Sequence, residues 1–266
     1  MGNASTAAAG QSDLLKIEQN GAVLTVGLNR PAKRNALNDG IMLAIQDCFS
    51  GIPESVGAVV IHGVGDHFSS GLDLSELSER DATEGLVHSQ MWHRVFDRIQ
   101  YSRVPVIAAL KGAVIGGGLE LACAAHIRVA EPSAYFALPE GQRGIFVGGG
   151  GSVRLPRLIG VPRMIDMMLT GRVYSATEGS AYGFSQYLTE AGGALPKAMD
   201  LAARVASNAP LTNFAVLQAL PMIAEANPQT GLLMESLMAT VAQSDKEAKR
   251  RIRAFLEHKT AKVKPA

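Results

Sequence analysis

The sequence has few of the residues that usually mark metal or redox chemistry. It contains two cysteines, Cys48 and Cys123, among 266 residues, and they form no C-x-x-C pair. Its six histidines form no H-E-x-x-H pattern. Two isolated thiols are typical of a protein from a reducing compartment. We therefore expect no metal ion and a cytoplasmic location.

Excess charge and long apolar runs are also missing. There are 25 basic and 24 acidic residues, which give a formal net charge of +1. This balance provides no general attraction to nucleic acid or to an anionic membrane. No apolar stretch approaches the roughly 20 residues that a membrane-spanning helix needs. We therefore expect neither a membrane nor a nucleic acid as a partner.

The first twelve residues are rich in Ala, Ser and Gly. They lack the basic start and apolar centre of a signal peptide, so we expect a disordered tail. Met1-Gly2 with Thr6 matches a loose myristoylation pattern, and Asn3-Ala4-Ser5 matches a glycosylation triplet. Both patterns are short and common, so they are weaker interpretations than a plain tail.

The first half of the remaining chain alternates between strand and helix patterns. Asn20-Gly21 is a strong hairpin turn, and Asn38 is a good helix N-cap. The alternation predicts an α/β fold. Strands are expected at 14–18, 22–28, 56–62, 106–110, 127–130 and 134–137, and helices at 39–49, 83–101 and 116–125.

The second half contains helix patterns and no further strand pattern. We expect a core over residues 13–190 and a C-terminal helical region over 191–266. Phe255 is expected in the core. The predicted helices span 163–169, 176–182, 196–207, 211–224 and 231–258.

A glycine triplet, Gly116 to Gly118, opens the helix that contains Glu120. Its backbone N–H groups lie at the positive end of that helix, which suits a phosphate or a developing oxyanion. The spacing matches neither the phosphate loop G-x-x-x-x-G-K-[ST] nor G-x-G-x-x-G. Glu120 lies between Leu119 and Leu121, where a buried carboxylate is costly unless it is paired or used. Close helix packing and the helix N-terminus are the structural alternatives for these residues.

Two further segments indicate a catalytic site only when they are considered together with the other motifs. Phe68 to Asp73 contains Gly71, whose freedom permits a tight backbone that directs amides outward. Glu140 follows Pro139 on a loop, and the run Gly148 to Gly151 precedes another expected helix. Alone, the first would be an ordinary turn and Glu140 an exposed loop acid.

Taken together, these motifs resemble the crotonase (enoyl-CoA hydratase/isomerase) superfamily. The resemblance runs from about Leu14 to Lys262 and includes Leu28-Asn29-Arg30-Pro31, Asn35-Ala36-Leu37-Asn38 and Leu169-Thr170-Gly171-Arg172. It implies a spiral of ββα turns, with the C-terminal helices making a homotrimer that pairs into a hexamer. Coenzyme A would be part of the substrate, with no separate cofactor.

The resemblance also assigns roles to individual residues. The amides of Ser70 and Gly117 would form the oxyanion hole for the thioester carbonyl. Glu120 would activate water and Glu140 would protonate C2. Substrate-binding residues would be Gly148, Leu72 and Trp92, although Trp92 also fits plain core filling. The CoA contacts would come from Arg30, Lys33, Arg34, His258 and Lys259, where Leu237 and His258 replace the family's C-terminal aromatic residue and lysine.

Hydration of a 2-enoyl-CoA is the leading interpretation, because isomerases of this fold usually work with one such carboxylate. A Δ3,Δ2-enoyl-CoA isomerase is the runner-up, and a heteroatom-bearing substrate such as methylthioacryloyl-CoA is a narrower option. Some relatives bind RNA, which would require a basic face. The single basic cluster, Lys246 to Arg253, makes that a minor alternative.

Overall fold

The computed structural model describes residues 13–76, 79 and 81–257. The predicted tail, Met1 to Ser12, and the predicted CoA contacts His258 and Lys259 lie outside this range. None of the helices in the described part is long and apolar enough to cross a membrane.

Two sheets and a set of helices form the fold. The larger sheet contains β1 (Leu15–Asn20), β2 (Val23–Leu28), β3 (Ala58–Gly63), β4 (Val106–Leu110), β6 (Ile127–Ala130) and β9 (Tyr187–Leu188), in the order β1-β2-β3-β4-β6-β9. The smaller sheet contains β5 (Ala113–Ile115), β7 (Tyr135–Ala137) and β8 (Tyr174–Ser175), in the order β5-β7-β8. Pairing is parallel except for β1 with β2 and β7 with β8.

From β4 to β7, consecutive strands alternate between the two sheets. β4 joins the large sheet and β5 the small one before α3 (Gly117–Ala124) follows. β6 and β7 repeat the pattern before α4 (Gly151–Ile159) and α5 (Val161–Thr170). The expected α/β class and its ββα turns are therefore confirmed. The prediction that no strand follows Ser152 is wrong, because β8 and β9 are two-residue strands too short to show a pattern.

The large sheet is covered on both faces, so its central strands are apolar on both sides. One face packs on α1 (Asp39–Ser50), α2 (Ala82–Gln100) and α3 around Ile61, Phe96 and Leu110. The opposite face carries Val60, Ile107 and Val129 and packs against α7 (Ala194–Ala206). α7 therefore belongs to the packing of the sheet, although it lies beyond the boundary expected near residue 190.

The remaining helices are α6 (Ala176–Tyr182), α8 (Pro210–Phe214), α9 (Leu220–Glu225), α10 (Pro228–Ser244) and α11 (Lys246–Leu256). A π-helical segment, Ala215–Ala219, joins α8 to α9 just before Pro221, which has no N–H for a regular helix. The helix expected over 231–258 is broken at Asp245, whose extended backbone ends α10 and whose side chain caps α11. Phe255 was expected in the core, but it is exposed in this chain.

Candidate active site

A cavity of about 410 Å³ lies where α2, α3 and the segments after β7 meet. The two glycine-rich segments and both glutamates singled out from the sequence line it. Its wall also contains Trp92 and Ser89 from α2 and the apolar residues Ile145 to Val147. The fold therefore brings together residues that are up to about 80 positions apart in the sequence, from Ser70 to Gly149.

Backbone amides form one side of this cavity. A methyl group placed on Gly117 would lie 3.6 Å from the Leu72 nitrogen and 2.9 Å from the Trp92 ring, so these groups face one another closely. We find no acceptor for the Gly117 or Leu72 N–H among the described residues. Both amides can therefore donate to a group bound between them.

Ser70 does not fit the role expected for it. Its N–H donates to the Arg34 carbonyl at 3.0 Å, which directs this amide away from a bound ligand. The isolated bridge between Leu37 and Leu72 sets the backbone orientation of this segment, since Leu37 donates to Gly71 O and accepts from Asp73 N. The amide of Leu72, between those two residues, is left facing Gly117. The prediction thus named the right segment and the right kind of donor, a backbone amide, but the donor is displaced by two positions.

Glu120 lies in the first turn of α3 and is 4% exposed. Its Oε1 accepts hydrogen bonds from Gly149 N at 2.9 Å and Gly151 N at 2.7 Å. Burial raises the pKa of Glu120, while these amides and the nearby Arg154 guanidinium act in the opposite direction. The glycine run Gly148 to Gly151 therefore supplies the hydrogen-bond donors for Glu120, the glutamate that follows the first glycine run.

Glu140 follows β7 and precedes a 3₁₀ turn at Gly141–Arg143. It is 8% exposed, and its Oε2 is buried with no hydrogen-bond partner among the described residues. Burial, with a smaller contribution from the charge of Glu120, raises the pKa of Glu140 to about 7. Its Oε1 lies 2.7 Å from where a side chain on Gly116 would begin, and Gly116 has a left-handed φ of 52°. Glycine is needed there for both backbone and space.

The wall of the cavity formed by α2 combines aromatic and polar groups. Trp92 is 4% exposed and packs edge-on against Phe96, so it is a core residue and a cavity wall at once. Its Nε1 lies 3.2 Å from Nε2 of His88, which also contacts Asp39. Ser89 donates to the Gly148 carbonyl at 2.7 Å and fixes that peptide beside the cavity.

The predicted CoA-binding loop contains residues with two different functions. Arg30 and Lys33 reach Asp73 Oδ2 at 2.8 and 3.0 Å, and Lys33 also donates to Ser75. Hydrogen bonds from Ser75, Lys33 and Arg30 hold the pKa of Asp73 below its ordinary value. The expectation that Arg30 and Lys33 hold CoA conflicts with this arrangement, because both clamp the segment that carries Leu72. Arg34 is exposed, as Lys33 is, but its side chain has no ion pair among the described residues, so it stays a candidate for phosphate binding.

Three functional residues were missed from the sequence. Asp73 and Ser89 are too common in turns and helices to be distinctive. Arg154 is 9% exposed and contacts Gly149, Gln100 and Asp97. An arginine one turn into the helix after a glycine run was the available signal for it, since a buried arginine must be paired.

Two buried carboxylates and two unpaired amides around one cavity define an acid–base site with an oxyanion-binding wall. The sequence model of the enoyl-CoA hydratase/isomerase family matches residues 18–265. The chain belongs to this family, and the resemblance to the crotonase superfamily is confirmed.

Known proteins similar to this chain carry hydratase names. It is 34% identical to the 2,3-dehydroadipyl-CoA hydratase of Escherichia coli, over 91% of this chain and 95% of that protein. It is 32% identical to the short-chain-enoyl-CoA hydratase of Clostridium acetobutylicum, over 91% and 94%. A crystal structure of a candidate enoyl-CoA hydratase from Rhodopseudomonas palustris superposes with a TM-score of 0.91 at 80% identity, over 94% of this chain and 97% of that one. The expectation of an enzyme is confirmed.

Proposed function

We propose that this enzyme adds water across the C2=C3 bond of a 2-enoyl-CoA thioester. The observation that carries the proposal is the pair Glu120 and Glu140, which line one cavity in different electrostatic surroundings. Isomerisation within an acyl chain needs one carboxylate to move a proton, whereas hydration uses a base for water and an acid for carbon. Two buried acids therefore favour hydration.

The amides of Gly117 and Leu72 are suited to the thioester carbonyl oxygen. As the reaction proceeds, negative charge moves from C2 onto this oxygen. Preorganised donors stabilise that charge, and one such donor contributes roughly 10²–10³ in rate. Because attack at C3 generates this enolate-like state, its stabilisation lowers the barrier to the attack.

The two acids are suited to opposite proton transfers. Glu120 accepts two backbone hydrogen bonds, which favour its ionised form and a role as base toward water. Glu140 has an oxygen with no partner among the described residues and a pKa of about 7, so its protonated form can deliver a proton to C2. Water leaves its proton on Glu120 and its hydroxyl on C3, and C2 takes the proton from Glu140.

The rest of the substrate extends from this centre. Trp92 and the wall from Ile145 to Val147 supply an apolar surface for the acyl group. Gly148, held by Ser89, borders the same surface. Arg34, an exposed cation in the predicted CoA-binding loop, is a candidate for contact with the CoA phosphates. We infer no separate cofactor, since coenzyme A is carried by the substrate.

The direct test is a panel of enoyl-CoA thioesters of different length and substituent. It should include short-chain, ω-carboxylated and methylthio-substituted 2-enoyl-CoAs, together with a 3-enoyl-CoA. We expect loss of the conjugated enoyl absorbance and a product heavier by one water. Conversion of the 3-enoyl thioester without mass change, and no hydration of any 2-enoyl thioester, would support the isomerase instead.

A further inference from the structure

Arg154 occupies a position behind Glu120 that hydration chemistry alone does not explain. Its guanidinium donates from Nη1 to the Gly149 carbonyl at 3.0 Å, from Nε to Gln100 Oε1 at 2.6 Å, and from Nη2 to Asp97 Oδ1 at 2.6 Å. It therefore joins α2 to the loop before α4. The side chain is 9% exposed and its contact with the Gly149 carbonyl is buried, whereas Asp97 is half exposed.

Gly149, whose carbonyl accepts from Arg154, is also a hydrogen-bond donor to Glu120. Gly149 donates its N–H to Glu120 Oε1, and its carbonyl accepts from Arg154. The peptide that follows leads to Gly151, whose N–H is the second donor to the same oxygen. Gly150, between them, has a left-handed φ of 92°, and a side chain there would meet the guanidinium. Without an external contact, a loop of three glycines has many other conformations.

We propose that Arg154 is the positioning residue for Glu120: it holds the Gly149 carbonyl so that the Gly149 and Gly151 amides stay directed at the carboxylate. This inference rests on the proposed function, in which Glu120 activates water. Arg154 touches no reacting atom. It acts through the two amides and, because it is a buried cation, through its field.

The electrostatic field of Arg154 determines the direction in which the pKa of Glu120 should change when Arg154 is replaced. Burial raises the pKa of Glu120, and the cation opposes that effect, so removing the cation should raise the pKa further. Asp97 partly neutralises Arg154, so removing its charge should have the opposite effect. Other ionisable groups around this site in the described chain are Glu140 before the 3₁₀ turn, Cys123 on α3, and His93 on α2. Tyr101, Arg128 and the Arg157–Glu225 pair lie further along the same region. Burial raises the pKa of Cys123 to about 12, so it stays neutral in the working range.

The experiment compares Arg154→Met, Arg154→Lys and Asp97→Asn with Arg157→Met. Arg157 lies on the same helix, is exposed and pairs with Glu225, so its replacement is a matched control. Two quantities are measured: kcat and KM for the best enoyl-CoA, and the titration of Glu120 by NMR of protein carrying ¹³C-carboxyl glutamate. The Glu120 signal is identified by its loss in Glu120→Gln.

We expect Arg154→Met to lower kcat by about 10–100-fold with little change in KM, as expected for a lost supporting contact. In this variant the midpoint of the Glu120 titration should rise by about one pH unit. Arg154→Lys should recover part of both effects, and Asp97→Asn should lower the midpoint. Arg157→Met should match the wild type.

The proposal is overturned if a folded Arg154→Met matches Arg157→Met in both readouts. If Arg154→Met does not fold, Asp97→Asn and Arg154→Lys decide: wild-type kcat and an unshifted midpoint in both would overturn it. Failure of the proposed function is a different result. In that case no enoyl-CoA is hydrated by the wild type, while the NMR titration still reports whether Arg154 controls Glu120.

Discussion

At the scale of single residues, the site depends on an asymmetry between two glutamates. Glu120 accepts hydrogen bonds from two amides, whereas Oε2 of Glu140 has no hydrogen-bond partner among the described residues. The same residue type is thus prepared for two tasks by its surroundings. The glycines around each carboxylate create these surroundings, because they leave room for the acids and supply the donors.

Replacement of either glutamate by glutamine should remove most hydration while leaving the fold and CoA binding intact. Glutamine is nearly isosteric, but it neither accepts nor delivers a proton. Loss of general acid–base catalysis typically costs about 10²–10⁴-fold in kcat. Since both residues act on one addition, the double variant should be scarcely slower than the poorer single variant.

Steady-state kinetics of the three proteins, with CoA affinity by calorimetry as the control, would measure this. A Glu120→Gln variant with near wild-type turnover would contradict the two-acid mechanism. The 3-enoyl thioester would then be the substrate to examine.

Glu140 should also make stability depend on pH. Its pKa rises from 4.5 in the unfolded chain to about 7 in the folded one. The folded state therefore holds its proton more tightly, and stability falls as pH rises from about 4.5 through 7. Each pKa unit corresponds to about 1.4 kcal/mol, and screening by solvent reduces the total, so we expect a loss of about 2 kcal/mol.

Urea unfolding of the wild type and Glu140→Gln at pH 5 and pH 8 would measure this loss. The difference between the two pH values should shrink in Glu140→Gln. It should persist in Glu54→Gln, because Glu54 is an exposed turn residue. An equal pH dependence in all three proteins would show that Glu140 is not the group responsible.

At the scale of elements, the site depends on segments that hold one another. The loop over residues 30–37 fixes the 70–75 segment by a backbone bridge and by the contacts of Asp73 with Arg30 and Lys33. The amide of Leu72 is positioned by these contacts and by Gly71, which has a φ of 86° and leaves no room for a side chain beside Ile115 O. One loop therefore supports the oxyanion-binding wall.

Adjacent residues in this loop should give opposite phenotypes. Arg34→Ala should raise KM for the acyl-CoA about fivefold and leave the midpoint of unfolding unchanged, as expected for one exposed charge contact of about 1 kcal/mol. Lys33→Ala should instead lower stability by about 1 kcal/mol and reduce kcat, because Asp73 loses a partner. Thermal unfolding and steady-state kinetics of both variants are the measurements. An unchanged kcat and stability in Lys33→Ala, with a raised KM, would return Lys33 to the CoA site.

The elements that could be predicted from the sequence are those with strong local signals. Asn38 caps α1 as expected, with its side chain accepting from Ile41 N, and β4 and β6 have the predicted bounds. The segments that were not predicted depend on distant partners. β8 and β9 are strands only because β7 and β6 lie beside them. Ser70 was misassigned for the same reason, since the Arg34 carbonyl that accepts its N–H is placed by the tertiary fold. The contact of Lys33 with Asp73 also depends on the tertiary fold, and its CoA contact stays a prediction.

At the scale of the whole molecule, the C-terminal helices leave a large apolar surface uncovered. On α10, Leu232, Leu233 and Leu237 are 64%, 61% and 58% exposed. Surfaces of this kind on a folded chain mark sites of association. The predicted occupant is a second copy of the chain, within a trimer or a pair of trimers.

Light scattering should therefore give a mass of three or six chains at micromolar concentration. Leu233→Glu with Leu237→Glu should lower that mass, because charges would be buried at the interface. Gln19→Glu, at an exposed position on β1 outside the C-terminal helices, adds charge away from this surface and should leave the mass unchanged. A monomeric wild type would exclude the oligomer.

The contact between Glu120 and the second glycine run also limits which amino-acid substitutions this protein can accept during evolution. A methyl group on Gly151 would begin 2.8 Å from Glu120 Oε1, and one on Gly149 would collide with Phe96. Gly151 cannot gain a side chain while a glutamate occupies position 120, and Gly149 cannot gain one while Phe96 keeps its place. A lineage in which position 120 became alanine, which has no Cγ, would relax the constraint on Gly151 but leave that on Gly149. Positions 120 and 151 should therefore vary together among descendants, whereas position 149 should change only when Phe96 does.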